Sequence, residues 1–496
     1  MTSSPQPGAA AGHKIGFFRN VAQPLSVSGP SAGTAVLPGT MVAVTGTAGA
    51  SSFLFGLLAG MLVAYVFASL ARHFPSAGAP YYYAGILSGT RIALLVGWAY
   101  LLTYVGFAGS VLSNEANYVE AAMGYVDAPT LPWPLVAFVL WVCCMIIVLR
   151  RIEFNTGFQV TMETLGVLAL LVVGIAVLVS SDTGGHGLGL DVFSLSGVSL
   201  SNLFLGITIA LSAYGGFESG ASLSEETEQP GRTVPASMWT SLLLSGALYI
   251  FACWFINVGF HGDLDRLAAS PSPLFDLAER LFGSVVAFIM TIIVLLAGLS
   301  TVTAASTGAI RTLFAMVRDG LLPARRARGT DPLQTDGSVP RRIVLMCMIP
   351  VLALSIGFFT TDAYSAFVYV ATAAAFMLTT VYFAIALLSV PWFARLRSWL
   401  GLACSLMATG LLGYALYVTM DSQTDPILRV LPFVDLALLG IAGVFAVCAG
   451  HVVRRMSTSP HWEAGRARRD QLMTGRASTR SHPPGAASPM SKEPAP

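Results

Sequence analysis

Residues 25–36 read LSVSGPSAGTAV, so that a glycine and a proline stand side by side inside an otherwise apolar run. In a helix interior glycine costs about 1 kcal/mol and proline about 3 kcal/mol, and proline also frees a carbonyl from its helical partner. Residues 214–220 (YGGFESG) break another apolar run in the same way. Inside a membrane such breaks are tolerated where the freed backbone lines a ligand site, so both breaks indicate a ligand-binding site. Either break alone also fits a kink, or a small-residue surface for close helix packing.

The composition around these breaks is typical of a membrane protein. Of the 496 residues, 55% are hydrophobic and 10% are charged, whereas soluble domains carry about 25% charged residues. This excludes a cytosolic enzyme, a nucleic-acid-binding protein and a disordered chain. Twelve apolar runs reach the roughly 20 residues that a spanning helix needs. The predicted spans are 21–45, 48–71, 89–113, 132–150, 155–180, 201–225, 235–259, 284–316, 342–360, 363–389, 398–420 and 429–450.

The lysines and arginines predict the orientation. If the N-terminus is cytoplasmic and the spans alternate, 24 of the 27 basic residues fall on the inner side, and only Arg266, Arg280 and Arg429 fall outside. Basic residues favour cytoplasmic loops. The first 20 residues also lack the short apolar core of a cleaved signal peptide. We therefore expect a multi-pass protein of the cell membrane with both termini in the cytoplasm.

The two breaks fall in the first and the sixth predicted span, each of which opens a set of five helices. Because five is odd, the second set enters the membrane in the opposite sense, which gives an inverted repeat with broken helices at the midplane. We expect an all-α integral membrane protein of 12 transmembrane helices. The predicted domains are a cytoplasmic N-terminal tail (1–20), repeat 1 (21–180), repeat 2 (201–390), two further helices (391–450) and a disordered cytoplasmic tail (451–496).

Four stretches carry a family resemblance. They are the break at 28–33 (SGPSAG), residues 74–83 (FPSAGAPYYY), residues 216–235 (from GFES through EET to PGRTVP) and residues 311–323 (RTLFAMVRDGLLP). Together, over about residues 20–450, they resemble the amino acid–polyamine–organocation (APC) superfamily of permeases. The resemblance implies a LeuT-type core of five plus five helices with two more helices. It also implies alternating access around a midplane site for the substrate's α-amino and α-carboxyl groups.

The resemblance also implies which residues bind the substrate. The residues carried over are Ser28, Gly29, Pro30, Ser31, Ala32, Gly33, Ser212, Ala213, Tyr214, Gly215, Gly216 and Phe217. The chain departs from the family pattern in three places. Ala79 stands where the family has a second glycine, and the aromatic gate of many relatives has only Tyr214 as a candidate lid. The lysine of some proton-coupled relatives corresponds to Gly166, with Glu163 one turn earlier.

Charged and hydroxyl side chains near the spans are the candidates for coupling. Glu218 is either a gating or coupling carboxylate or an acceptor for backbone N–H groups that the break frees. Glu163 either carries a coupling proton or pairs with an arginine such as Arg311. A predicted cluster of charged residues at the inner face either rearranges during transport or forms static ion pairs. Hydroxyl groups of the eighth span either ligate Na⁺, which is less favoured, or form hydrogen bonds within their own helix. The cluster is Glu225, Glu226, Arg232, Arg318 and Asp319, and the sodium candidates are Ser300, Thr301 and Thr303.

These observations predict a secondary-active permease for an amino acid or a related small amine-bearing compound. A proton or an exchanged substrate is favoured over Na⁺ as the coupling partner. The alternatives are a polyamine or amine/amino-acid antiporter, and a substrate sensor on a transporter-like scaffold. We expect no enzyme activity and no cofactor, because the chain has neither a phosphate-binding loop nor a metal-ligand spacing. No nucleic-acid partner is expected, because so few residues are charged. The partners are a small molecule and the lipid bilayer, and the oligomeric state stays open.

Overall fold

Helices make up almost the whole of the computed structural model, which describes residues 14–150, 152–180, 190–322, 340–421 and 425–474. In these ranges the only β pairing is an isolated bridge between Ile15 and Thr227. The α-helices are α1 (Phe17–Ser28), α2 (Pro30–Gly33), α3 (Leu37–Thr45), α4 (Gly49–His73), α5 (Ala79–Ser88), α6 (Thr90–Gly124), α7 (Trp133–Val148), α8 (Ile152–Val179), α9 (Leu200–Ala213), α10 (Pro230–Gly259), α11 (Leu264–Ala269), α12 (Pro273–Phe282), α13 (Ser284–Arg318), α14 (Arg341–Ile356), α15 (Ala363–Arg395), α16 (Trp399–Asp421), α17 (Pro426–Cys448), α18 (Gly450–Ser457) and α19 (Pro460–Met473).

Nine stretches of the described chain are helical, long and apolar enough to cross a membrane. The multi-pass, all-helical prediction is therefore confirmed, whereas the count of twelve and the five-plus-five arrangement stay predictions. The difference comes from three predicted spans. The first is divided into α1, α2 and α3, and the fourth and ninth correspond to α7 and α14, which have 16 residues each. Sixteen residues rise about 24 Å, less than the roughly 30 Å of the hydrocarbon core.

The glycine-proline pair explains why the first span breaks. Gly29 ends α1 in the left-handed region, with φ 44° and ψ 53°, and its N–H bonds to the carbonyl of Leu25. Pro30 begins α2, where a missing N–H costs nothing because a first-turn N–H has no helical acceptor. A side chain at Gly29 would also collide, since an added Cβ would lie 2.5 Å from Oγ1 of Thr301.

The second break packs directly against the first. Ala213 ends α9, Gly216 has a φ of 97°, and residues Phe217–Leu223 continue as a 3₁₀ helix. A Cβ on Gly216 would lie 2.1 Å from Cγ1 of Val27, the residue two positions before Gly29. Glycine is required here for two reasons, because the backbone is left-handed and because α1 leaves no room for a side chain.

The remaining long helices surround these breaks. α6 packs against α13 and α15, while α4 packs against α10. α16 and α17 lie at the periphery, since only 33% and 22% of the most apolar 18-residue stretch of each helix is buried. A helix that is apolar all round yet exposed in this way faces lipid rather than the protein core.

The C-terminal prediction is wrong over residues 451–474, because α18 and α19 are helical, α18 packs on α6 and α19 folds back onto α5. Trp462 is 1% exposed and its ring lies against Tyr81 and Tyr82. The disordered assignment averaged the composition of the whole segment, which hides Val452, Met456 and Trp462, three side chains that are all buried. Residues 475–496 of the predicted tail, and residues 1–13 at the other end, lie outside the described residues.

Close helix contact at Gly56 gives a test of the packing. A Cβ on Gly56 of α4 would lie 2.3 Å from Cβ of Ala210 on α9, whereas Gly440 of α17 has open space around it. Alanine gains about 1 kcal/mol of helix propensity over glycine at either position. We expect Gly56→Ala to lower the melting temperature of the purified protein and Gly440→Ala to leave it unchanged or raise it. Equal shifts for the two variants would contradict this packing.

Candidate functional site

A cavity of about 90 Å³ lies where the two breaks meet. This is several times the roughly 10–15 Å³ that one water molecule requires. The predicted residues that line it are Ser28, Gly29, Ala32, Gly33, Ser212 and Ala213. Its other walls come from α1, α3, α6, α10, α13 and α15, and they include Phe107, Asn114, Tyr249, Thr301 and Phe367. The site is therefore apolar, with a few backbone and hydroxyl groups directed into it.

Side chains from three helices satisfy the backbone at the first break. The Tyr249 hydroxyl donates to the Ser28 carbonyl at 2.9 Å, and the Tyr118 hydroxyl donates to the Ala32 carbonyl at 2.8 Å. Both the N–H and the hydroxyl of Ser31 donate to Oε1 of Glu163, at 3.1 and 2.9 Å. Without these partners, each buried backbone group would cost several kcal/mol inside a membrane. The break is therefore held by α6, α8 and α10 together.

Glu163 does not pair with Arg311, so that alternative is wrong in this structure. Arg311 forms its salt bridge with Glu226 instead, while Glu163 is 2% exposed and bonds to the first break. Its second oxygen, Oε2, has no hydrogen-bond partner within the described ranges. The structure leaves no room for a side chain at position 166, because a Cβ on Gly166 would lie only 2.5 Å from Cβ of Ser31.

At the second break, Glu218 accepts two tyrosine hydroxyl groups. Tyr104 of α6 donates to Oε1 at 2.8 Å and Tyr382 of α15 donates to Oε2 at 2.6 Å. Glu218 is fully buried. The carboxylate thus accepts hydroxyl groups of two distant helices, whereas the acceptor alternative named backbone N–H groups that the break frees. It links the break to α6 and α15.

Tyr214 does not lie over the cavity in this conformation. It is fully buried, and its hydroxyl donates to the Phe53 carbonyl at 2.7 Å. The aromatic side chains at the cavity are instead Phe107, Tyr249 and Phe367. The remaining predicted binding residues do not line the cavity, namely Pro30, Ser31, Gly215, Gly216 and Phe217.

Salt bridges close the structure on the α1 side of the breaks. Arg318 contacts Glu225 at 2.5 Å and Asp319 at 3.4 Å, and Arg311 pairs with Glu226. Arg232, which the sequence placed in this cluster, is exposed and joins no salt bridge of the described chain. Arg311 therefore takes the place predicted for Arg232.

Two carboxyl groups of this cluster titrate differently. Burial raises the pKa of Glu225, but the charge and the hydrogen bond of Arg318 more than offset this and hold the pKa below its ordinary value. Burial dominates at Asp319, whose pKa is raised although Arg318 opposes the shift. Asp319 also accepts a hydrogen bond from the Tyr81 hydroxyl at 3.1 Å. Glu225 is therefore the more firmly charged partner of Arg318.

On the other side of the breaks the central cavity adjoins a larger one. This second cavity of about 160 Å³ lies among α3, α9 and α15. It shares Leu37, Ser212, Phe367 and Ala371 with the central cavity. A hydrogen bond of 3.1 Å between Thr40 and Tyr364 crosses from α3 to α15. Salt bridges thus join the helices on the α1 side of the breaks, whereas the α3 side contains the larger cavity.

The hydroxyls proposed for sodium mostly bond within α13. Thr303 donates to the Ser300 carbonyl at 2.9 Å and Thr301 to the Ala297 carbonyl at 3.4 Å. The Ser300 hydroxyl has no hydrogen-bond partner within the described ranges. Thr301 is the one candidate of the three that also lines the central cavity.

Two buried carboxylates escaped the sequence reasoning. Glu115 of α6 is fully buried, and neither of its carboxylate oxygens has a hydrogen-bond partner in the described chain. It packs on Gly298 of α13, where an added Cβ would lie 1.8 Å from Oε1. Asp435, inside α17, is 5% exposed. The third predicted span ended at residue 113, just short of Glu115, but an acidic residue in a spanning helix is itself the signal.

The Ser31–Glu163 contact gives a test of how the break is held. Glu163→Gln keeps an oxygen acceptor for Ser31, whereas Glu163→Ala leaves its N–H and hydroxyl without that partner. A buried unsatisfied donor costs about 1–3 kcal/mol. We expect Glu163→Ala to have a clearly lower melting temperature than Glu163→Gln. If the two variants melt together, Glu163 is not what holds the break.

Comparison with known proteins shows the family to which the chain is similar. A family model described as amino acid permease matches residues 23–451. The low-affinity putrescine importer PlaP of Escherichia coli (strain K12) is 28% identical over 282 residues, which are 55% of this chain and 60% of the importer. Cationic amino acid transporter 3, mitochondrial, of Arabidopsis thaliana is 28% identical over 312 residues, 59% of this chain and 50% of that protein. An uncharacterized transporter of Mycobacterium tuberculosis is 26% identical over 350 residues, 65% of this chain and 70% of its own length.

The matches with the first two relatives thus span 60% and 50% of those proteins' own lengths. The family model, in contrast, matches most of this chain. The family and these relatives are transporters, and the apolar helices make this a multi-pass membrane protein. Together with the two breaks that meet at one cavity, the match confirms the APC resemblance, and the chain belongs to the amino acid permease family.

Proposed function

We propose that this protein is a secondary-active permease that moves an amino acid or a related small amine-bearing compound by alternating access. The observation that carries the proposal is the cavity formed jointly by the two helix breaks. A broken helix offers backbone N–H groups to a carboxylate and carbonyl groups to an ammonium. The Ala32–Gly33 and Ser212–Ala213 backbones, which line the cavity, are the segments that hold these two groups of the substrate.

We further propose the arrangement that the sequence predicts, with 12 transmembrane helices, two inverted repeats of five (21–180 and 201–390) and two added helices. The contact of Gly216 with Val27 supports it, because it brings the first helices of both repeats together. The peripheral positions of α16 and α17 fit two added helices. The basic residues support a cell-membrane location with both termini in the cytoplasm, which makes the α1 side the inner side.

Alternating access then requires the inner salt bridges to open. In this structure Arg318–Glu225 and Arg311–Glu226 tie α13 to the loop that follows the second break. The cavity on the α3 side provides the outer approach to the central cavity. Opening the inner side separates these pairs, and the Tyr104–Glu218–Tyr382 contacts set how far the second break can move.

Glu163 is the proposed coupling group. A proton on Glu163 would cancel the charge that accepts the Ser31 N–H and hydroxyl, and so would change the hydrogen bonding of the first break. Proton symport or exchange is favoured over sodium coupling, because the Thr301 and Thr303 hydroxyls are already bonded within their own helix.

A cationic substrate is the second candidate, and Glu115 is the observation that favours it. A polyamine or a cationic amino acid requires a carboxylate, and Glu115 is buried with no hydrogen-bond partner in the described chain. It lies on α6 one turn before Tyr118, which bonds to the first break. Two of the relatives described above are named for putrescine and for cationic amino acids. A substrate sensor on the same scaffold is the remaining alternative.

Flux in proteoliposomes tests the proposal. We expect saturable uptake or exchange of at least one labelled amino acid or amine. Gly216→Ala should reduce this flux at least tenfold, because its Cβ would displace Val27 from the break. The control is Gly443→Ala, whose Cβ would meet its nearest neighbour at an ordinary 3.7 Å. No flux across a broad panel, with or without pH and Na⁺ gradients, would reject the permease, as a sensor predicts.

Coupling is tested separately with Glu163→Gln. The variant keeps an acceptor for Ser31 but cannot carry the charge change, so we expect it to lose accumulation driven by a pH gradient. Exchange of labelled for unlabelled substrate should continue, because it needs no net proton movement. Accumulation at the parent rate would show that another group carries the coupling.

A further inference from the structure

α19 is anchored on α5 by one deeply buried side chain. Trp462 is 1% exposed, and its ring centroid lies 5.5 Å from that of Tyr81 and 5.4 Å from that of Tyr82. α5 makes room for it with Gly85, where an added Cβ would lie 1.6 Å from the indole ring. The indole ring of Trp462 therefore occupies a specific site on α5 and does not simply rest on an apolar surface.

Further contacts extend this anchor along the two helices. The His461 ring lies 4.3 Å from the Tyr82 ring, and the Tyr82 hydroxyl donates to the His461 carbonyl at 3.3 Å. Gly465 in turn makes room for Tyr82, since an added Cβ would lie 2.1 Å from its hydroxyl. Arg469 donates to the Ile86 carbonyl at 2.9 Å. Both helices thus contribute a glycine and a hydrogen bond to the interface.

The same tryptophan begins a chain of polar contacts that ends at the inner salt bridges. Its indole N–H donates to the Tyr81 hydroxyl at 3.3 Å, and Tyr81 donates to Oδ2 of Asp319 at 3.1 Å. Arg318 lies between Asp319, at 3.4 Å, and Glu225, at 2.5 Å. The C-terminal helix is therefore connected through four contacts to the loop that follows the second break.

We propose that α18 and α19 form an autoinhibitory latch, which holds the inner salt bridges closed while α19 is docked on α5 and releases them when it undocks. The proposal rests on the alternating access proposed above. Only Trp462 and Gly465 of α19 are buried, so the interface is small enough to separate without disturbing the bundle. The Arg455 side chain of α18 covers Gly320, the residue after Asp319, and adds a second contact that the latch must release.

The charges around His461 make the latch sensitive to pH. Burial and the charge of Arg318 hold the pKa of His461 below its ordinary value, while Asp319 and Glu225 oppose this shift. The other neighbours are Tyr82 and the Ser76 hydroxyl at 3.4 Å. Docking thus favours the neutral ring of His461. The favourable contribution of His461 to docking is therefore complete above the pKa of the free imidazole, near 6.5, and it declines as the pH falls below that value. Acidification on the inner side weakens the latch.

A cysteine reporter in the full chain tests the proposal without any substrate. Ser222 is 3% exposed, and its hydroxyl has no hydrogen-bond partner in the described chain, so Ser222→Cys fits beside the second break. The exposed Cys143 and Cys448 are replaced by alanine, and maleimide labelling is timed in lipid nanodiscs. We expect Trp462→Ala to speed labelling at least fivefold, and lowering the pH from 7.5 to 5.5 to increase the thiolate-corrected rate in the parent but not in Trp462→Ala.

The matched control is Trp399→Ala, because Trp399 is 79% exposed and should leave the rate unchanged. Equal rates for Trp462→Ala and the parent would overturn the latch. So would equal acceleration by both tryptophan variants.

A locked latch covers the case in which Trp462→Ala fails to fold. Ser76→Cys with His461→Cys places two thiols on side chains whose hydroxyl and ring Nε2 lie 3.4 Å apart, within reach of a reducible bifunctional thiosulfonate. Cross-linking should slow Ser222→Cys labelling and flux at least fivefold, and reductant should restore both. Flux that is unaffected by the cross-link would overturn the latch. Faster labelling of Trp462→Ala in a protein that moves no substrate would support the latch and reject the proposed permease instead.

Discussion

Every polar backbone group that a helix break frees inside a membrane must find a partner, and this constraint organises the structure around Gly29 and Pro30. The partners come from far along the chain. Tyr118, Glu163 and Tyr249 bond to the carbonyls or the N–H of the first break from α6, α8 and α10. The positions of these three helices are thus tied to one short segment. Any movement of the segment must be accompanied by a change in at least one of these bonds.

The second break packs directly against α1, and Asn20 of α1 also donates a hydrogen bond to the Gly220 carbonyl at 3.0 Å. Gly216 lies so close to Val27 that no side chain fits between them, and an added Cβ on Gly29 would lie 2.5 Å from Oγ1 of Thr301. Two helix ends that approach this tightly bring backbone and small residues to one wall of the cavity, which suits a ligand recognised by backbone groups. Beyond the cavity the restraints are electrostatic, because Arg311 and Arg318 tie α13 to the loop after the second break. The C-terminal helices add a contact to this same charged layer.

The sequence predicts the helices and the breaks because both are local signals. Apolar runs and a glycine-proline pair report on the residues where they occur. The partners of the breaks are not local, since Ser31 and Glu163 are 132 positions apart, and no pattern within one helix predicts which acceptor lies opposite. The exchange of Arg232 for Arg311 has the same origin. Glu115 was missed at the edge of an apolar run. The helices α18 and α19 were not predicted, because three buried apolar residues do not change the average composition of a polar segment.

The central claim is that substrate binds where the two breaks meet, and protection of a cysteine placed at Ala213 tests it most directly. Ala213 is at the end of α9 and lines the central cavity. A ligand found to raise the melting temperature of the protein should slow thiol modification of Ala213→Cys, with a half-maximal concentration equal to its dissociation constant from the thermal shift. If the ligand stabilises the protein at saturation and the modification rate does not change, the ligand binds elsewhere and the account of the site is wrong.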